Sequence, residues 1–193
     1  DTRPRPTTIS YLLLGIDDSS QDSPRLEAVW LATIVEDYTS VQMTGIVPNA
    51  HLQNAFAEGD GHIETILSHQ TQAPIVSRIV LDFSDFAQIA DLLGGLRLGG
   101  KTRNGLSVLD YVVEPQHQED RLLRQAAVVQ AMVAAAVIHS ERFQIEGLLG
   151  QISDGQFGAD EFTALARNHS QLHTQQVIVR IAPEIETVSG ERT

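Results

Sequence analysis

A chain of 193 residues that is 42% hydrophobic and 20% charged has ordinary globular usage and enough length to bury one full core. Its 13 basic and 25 acidic residues give a formal charge of -12, which argues against a general nucleic-acid-binding surface, because phosphate binding needs clustered cations. With no cysteine, neither a disulfide framework nor thiolate chemistry is available, and no apolar run approaches the roughly 20 residues of a membrane helix.

Asp1 to Pro6 alternates charge with proline and reads as an extended lead-in. The first strong signal is Ile9 to Ile16, a continuous apolar run closed by the adjacent carboxylates Asp17 and Asp18. Such a run is expected to be a strand buried on both faces, with the acidic pair at its carboxyl end, where ligands sit in open α/β sheets. A Ser- and Asp-rich loop to Pro24 delivers Arg25-Leu26-Glu27. Ala28 to Val35 and Val41 to Val47 then read as a hairpin ended by Pro48-Asn49. His51 to Gly61 looks irregular, and Asp60 is expected to cap a short helix with Ile63, Ile66 and Leu67 on its apolar stripe. Ile75 to Phe83 reads as a strand, Ser84 as the cap of a helix carrying Phe86, Ile89, Ala90 and Leu93, and Gly94-Gly95 as its stop.

Ser107 to Val113 is expected to be a short strand after a polar excursion. The longest helix follows from about Glu119 to Ser140, with Leu122, Ala126, Val129, Val133 and Ala136 as its buried stripe. Ala159 to Asn168 reads as a short helix, Gln176 to Ile181 as a last strand, and everything from Pro183 as disordered. Strands alternating with helices after an initial hairpin predict an α/β fold, a three-layer α/β/α sandwich with a central mixed sheet. The expected strands of that sheet begin at Ile9, Ala28, Val41, Ile75 and Ser107. Residues 1–8 are expected to be a linker from an N-terminal membrane anchor, 9–182 a single domain and 183–193 a flexible tail.

On the long helix, Arg121, Arg124 and Gln125 stand at i, i+3 and i+4, beside the apolar stripe. Two guanidinium groups and an amide on one face can hold a phosphate, or can form a solvated face with Glu119 and Asp120. Asp17 can face a ligand or simply form a turn with Asp18. Gly15-Ile16-Asp17 lacks the glycine-rich turn of a dinucleotide site. His169 and His173 have ligand-like spacing without a third partner nearby.

Six segments in order resemble the LytR-CpsA-Psr family of bacterial cell-envelope proteins: Leu12-Leu13-Leu14-Gly15-Ile16-Asp17, Arg25-Leu26-Glu27, Asn54-Ala55-Phe56-Ala57, Asp82-Phe83-Ser84-Asp85-Phe86, Asp91-Leu92-Leu93-Gly94-Gly95 and Arg121-Leu122-Leu123-Arg124-Gln125. The resemblance implies an extracytoplasmic α/β/α domain on a membrane anchor. It also implies transfer of a glycopolymer from a polyprenyl-pyrophosphate carrier to peptidoglycan, with Mg²⁺ and an arginine-lined phosphate site. Carried over residue by residue, it makes Asp17 and Glu27 metal ligands, and Arg25, Arg121, Arg124 and Gln125 the catalytic set. Phe56, Phe83, Phe86 and Leu93, with Ile63, Leu67, Ile89 and Val129, become lining for the polyprenyl chain. Ordinary core packing is the alternative fate of such side chains.

The departures are specific. Glu27 stands where the family has an aspartate, and the third strand ends Val47-Pro48-Asn49 without the family's arginine. Val113 and Pro115 occupy the places of two more arginines, with Glu114 between them. Charge-assisted bonds of this kind are worth roughly 1.5–3 kcal/mol each, so reduced activity is one expectation. A binding or scaffolding module of the cell envelope without catalysis is the other. If Asp17, Arg25, Arg121 and Arg124 meet at the carboxyl edge of the sheet, they favour an anion, unless Glu27 and Glu114 neutralise the arginines as internal ion pairs.

Overall fold

The computed structural model describes residues 8–35, 40–71, 74–138 and 177–182. The first apolar runs form β1 (Thr8–Ile16), β2 (Leu26–Val35) and β3 (Val41–Ile46), and β4 is Ile75–Leu81 and β7 Val177–Ile181. They make one mixed sheet in the order β4-β1-β2-β3-β7. Leu13 pairs antiparallel with Trp30 on one side and parallel with Ile79 on the other. β2 runs antiparallel to β3, and β3 parallel to β7. The ends of β1, β4, β3 and β7 and the start of β2 therefore share one edge of the sheet. Helices cover both faces, which is the three-layer α/β/α sandwich expected from the sequence.

Strand alternation sorts the core into two layers. Leu12, Leu14, Val29, Leu31 and Ile46 face α1 (Ala50–Glu58) and α2 (His62–Thr71), packing on Leu52, Ala55, Ile63 and Leu67. Trp30, at the next position of β2, faces α5 (Gln118–Ile138) on the other side. There α3 (Phe83–Leu92), the small hairpin β5 (Leu96–Leu98) and β6 (Lys101–Arg103), α4 (Gly105–Val113) and α5 share a core of Ile89, Leu93, Leu96, Val108, Val112 and Val128. Two glycines permit close approach in this layer. A Cβ on Gly45 would stand 2.8 Å from the Trp30 ring and 2.9 Å from Leu122, and one on Gly105 only 2.1 Å from the Ala87 carbonyl oxygen.

Several sequence expectations are corrected. Ser107 to Val113 lies in α4, not in a strand: Asn104 accepts from the Ser107 N–H as N-cap, and Gly105, Val108 and Val112 recur with helical spacing on the buried side. The fifth strand of the sheet is β7 instead. His51 to Gly61 is mostly α1, capped by Asn49 and ended at Gly59. Asp60 does not cap α2; it takes a left-handed φ of 48° between two positive-φ glycines. The cap of α3 is Asp82 rather than Ser84, in a reciprocal capping box with Asp85. Among the side chains of α5 that the structure describes, the buried ones are Leu122, Gln125 and Val128, so Gln125 belongs to the buried stripe instead of lying beside it. The expected helix at Ala159 to Asn168, residues 1–7 of the linker, the tail and the two histidines lie outside the described residues, and Thr8 opens β1. Among the described residues no helix is long and apolar enough to cross a membrane.

Candidate functional site

A β-bulge builds the site. Gly15 pairs with Ala28 but Ile16 pairs with Leu26, so Glu27 is the extra residue on β2. A bulge of this kind shifts the alternation by one. Leu26 therefore joins the core beneath α1 and α2, while Glu27 turns to the α5 face. Glu27 is buried, with both carboxylate oxygens engaged: Oε1 by Arg25 Nε and Oε2 by Arg121 Nη1 at 2.7 Å. Gln125, one turn on from Arg121, donates from Nε2 to the Glu27 carbonyl at 3.1 Å and accepts from Trp30 Nε1 at 3.3 Å. Its two bonds fix α5 against the bulge.

Asp17 closes the other side. Its Oδ1 accepts from the backbone N–H groups of Arg25 at 2.7 Å and Asp18 at 2.9 Å, and Oδ2 lies 3.9 Å from Arg25 Nε. Asp17, Arg25, Glu27 and Arg121 thus form one connected cluster at the carboxyl edge, and their formal charges sum to zero. The side chains differ in freedom: Arg25 is 69% exposed, Arg121 20% and Glu27 7%. Arg121 also donates to the Pro115 carbonyl at 3.5 Å, while its Nε is buried with no hydrogen-bond partner.

Arg124 does not reach this cluster. It donates to the Tyr111 carbonyl at 2.8 Å and to Glu114, with its guanidinium carbon 4.7 Å from the Tyr111 ring centre. A cation on the last carbonyls of α4 suits the helix terminus. The sequence therefore located the arginines but not their division between two carboxylates, Glu27 and Glu114. The Arg124 hydrogen bond and charge, with Arg103 adding at longer range, hold Glu114 below the usual carboxylate range. Arg103, 5.0 Å from the Tyr111 ring centre, is a cation that sequence reasoning passed over. Its only signal was a place just before the Asn104-Gly105 helix start.

A divalent cation on Asp17 and Glu27 does not fit this arrangement. Hard cations need several open oxygen ligands, but both Glu27 oxygens face guanidinium groups and Asp17 Oδ1 already accepts two N–H donors. Among the described residues no cluster of three or more His, Asp or Glu could hold a metal. The expected lipid lining is also divided. Phe56 packs in the layer of α1 and α2, Phe86 and Leu93 in the layer of α3 to α5, and the half-buried Phe83 opens α3. The sheet separates Phe56 from Phe86 and Leu93, so the four do not line one cavity. An open cleft of about 400 Å³ between Asp91, Gly94, Gly95, Thr102, Asn104 and Ser107 includes none of the expected site residues.

No protein-family model matches the sequence, and no curated protein sequence does. Solved structures do match. Bacillus subtilis TagV is similar over 98% of this chain and 90% of its own, at 17% identity and a TM-score of 0.74. A LytR-Csp2A-Psr enzyme from Actinomyces oris matches over 93% and 84%, at 17% identity and 0.68. TagT bound to LI-WTA matches over 94% and 81%, at 18% identity and 0.69. Likeness at this identity speaks for the fold, and with the mixed sheet, its helical layers and the charged edge in hand, this chain has the LytR-CpsA-Psr fold.

Proposed function

We propose that this chain is a cell-envelope domain that binds the (pyro)phosphate head of a polyprenyl-linked glycopolymer at Arg25 and Arg121 and passes the polymer to peptidoglycan. The observation that carries the proposal is the meeting of these two arginines, from different elements, on one buried carboxylate at the ligand edge of the sheet. Support comes from likeness to TagT, whose structure is bound to LI-WTA. The protein works on the extracytoplasmic face, held at the membrane by an N-terminal anchor, where a polyprenyl carrier is accessible.

Arg25 is the mobile partner. Its exposed guanidinium leaves Glu27 for a phosphate oxygen at little desolvation cost, while Arg121 stays anchored on Glu27 and keeps its charge at the edge of the site. Gln125 is a positioning residue, because it holds the Glu27 backbone and not the ligand. In transfer, an acceptor hydroxyl of peptidoglycan attacks the polymer-bearing phosphorus, the phosphoanhydride P–O bond breaks and polyprenyl phosphate leaves. The hydroxyl proton passes to Asp17 Oδ2, which takes no hydrogen bond from a described residue. The arginines stabilise charge that develops on the phosphates. With Val113 and Pro115 in place of cations, and none at the end of β3, transfer is slower than in a fully cationic site.

The neutralised state of Glu27 favours a second reading, a module that binds the lipid-linked polymer without transferring it. Membranes carrying the full-length protein, incubated with radiolabelled lipid-linked glycopolymer and peptidoglycan, separate the two. Label entering peptidoglycan, and falling in Arg121→Ala, supports transfer. Label retained on protein-bound lipid supports the binding module, and failure to bind the lipid-linked polymer removes both.

A further inference from the structure

Arg103 on β6 and Arg124 on α5 both bring their guanidinium carbons over the ring of Tyr111, at 5.0 and 4.7 Å. Two like charges held over one ring need an anion nearby, and the anion present is Glu114, which pairs with Arg124. Arg103 makes no ion pair with a described residue, and its Nε is buried without a hydrogen-bond partner. Glu114 itself is 71% exposed, on the turn between α4 and α5, so it can leave the arginines without being buried elsewhere. Seat and occupant thus differ in rigidity: Arg124 is tied to the Tyr111 carbonyl, while the carboxylate is tied to little else.

We propose that Arg103, Arg124 and Tyr111 form a second phosphate seat, and that Glu114 is its built-in competitor, displaced when a phosphate group arrives. The seat rests on the reading of the charged edge as a phosphate-binding region. It deepens that reading by adding Arg103, a cation from β6, and by making Glu114 a brake on affinity. Two guanidinium groups beside one aromatic ring suit a multiply charged phosphate better than a single carboxylate, because their N–H donors can bind separate oxygens. Once Glu114 swings out, the seat carries a net positive charge in an otherwise acidic protein.

Calorimetric titration of the full chain with inorganic pyrophosphate tests this. Removing an exposed competing carboxylate should tighten binding by about two- to five-fold, the equivalent of one surface ion pair. Glu114→Gln is therefore expected to bind more tightly than wild type, and Arg103→Gln more weakly. Glu119→Gln, an equal charge change on the exposed first turn of α5, is expected to match wild type. Equal affinity in wild type, Glu114→Gln and Arg103→Gln overturns the seat, as does a Glu119→Gln gain equal to that of Glu114→Gln, or absence of pyrophosphate binding in both wild type and Glu114→Gln. Such a failure stays distinct from failure of the proposed function, which is read from the lipid-linked polymer and Arg121→Ala.

Discussion

Replacing Glu27 with glutamine keeps the shape of the side chain and removes the charge that gathers two arginines. Breaking a buried ion pair from one side costs roughly 3–5 kcal/mol, because the partner is left uncompensated. That range needs discounting here. Arg25 is 69% exposed and is resolvated by water, and Arg121, 20% exposed, keeps its bond to the Pro115 carbonyl. The expected loss is then about 2–3 kcal/mol, nearly all from the Arg121 half. For a domain of this size that corresponds to a fall in Tm of about 5–10 °C. Trp30, the sole tryptophan, lies within the same hydrogen-bonded unit through Gln125, so its fluorescence during urea unfolding reports the event. A double-mutant cycle with Arg121→Met should give a coupling of at least about 1 kcal/mol, since removing both partners removes the stranded charge. A loss below about 0.5 kcal/mol that adds simply to that of Arg121→Met would refute the buried pair.

Gly45→Ala forces a methyl group to within 3 Å of Trp30 and Leu122, and is expected to destabilise by about 1–3 kcal/mol and weaken ligand binding by lifting α5 off the bulge; chemical denaturation and titration check it together. Gln125→Leu strands the Trp30 N–H and the Glu27 carbonyl, costing about 1–3 kcal/mol, with a shifted Trp30 emission maximum as its signature. Asp82 is partly desolvated, but hydrogen bonds from Ser19, Asp85 and Ser84 outweigh that and hold its pKa below 3.8. Its contribution is thus present above that value and lost as pH falls through the lower folded pKa; Asp82→Asn should unfold with a shallower acid dependence, and an unchanged dependence would count against the charged cap. Millimolar Mg²⁺ is expected to leave the wild-type Tm unchanged, as both Glu27 oxygens are engaged, and a rise of several degrees would contradict that arrangement.

The buried strands were legible because their apolar runs are continuous, as in Leu12-Leu13-Leu14, where no competing period exists. The segment Ser107 to Val113 was misread because Val108, Val112 and Val113 favour strands by composition, while the decisive information was the Asn104 cap and helical spacing from Gly105. Composition and spacing pointed in different directions, and the cap settled the local structure. The site was half legible. Asp17, Arg25 and Arg121 meet at the sheet edge as expected, Arg124 does not join them, and the possibility that Glu27 and Glu114 pair with the arginines is what the structure shows. The bulge that turns Glu27 toward α5 leaves no mark in residue types, because register depends on the partner strand. Arg103 was missed for a similar reason, since its proximity to Tyr111 depends on how the β5–β6 hairpin folds back on α4.

The most direct measurement is titration of the full chain with a soluble short-chain polyprenyl pyrophosphate, followed by Trp30 fluorescence at increasing salt, for wild type, Arg25→Ala and Arg121→Ala. Binding that weakens steadily with salt in wild type and is lost in both variants is expected if the two arginines hold the phosphates. Equal, salt-insensitive binding by all three proteins would place the ligand elsewhere and contradict the site.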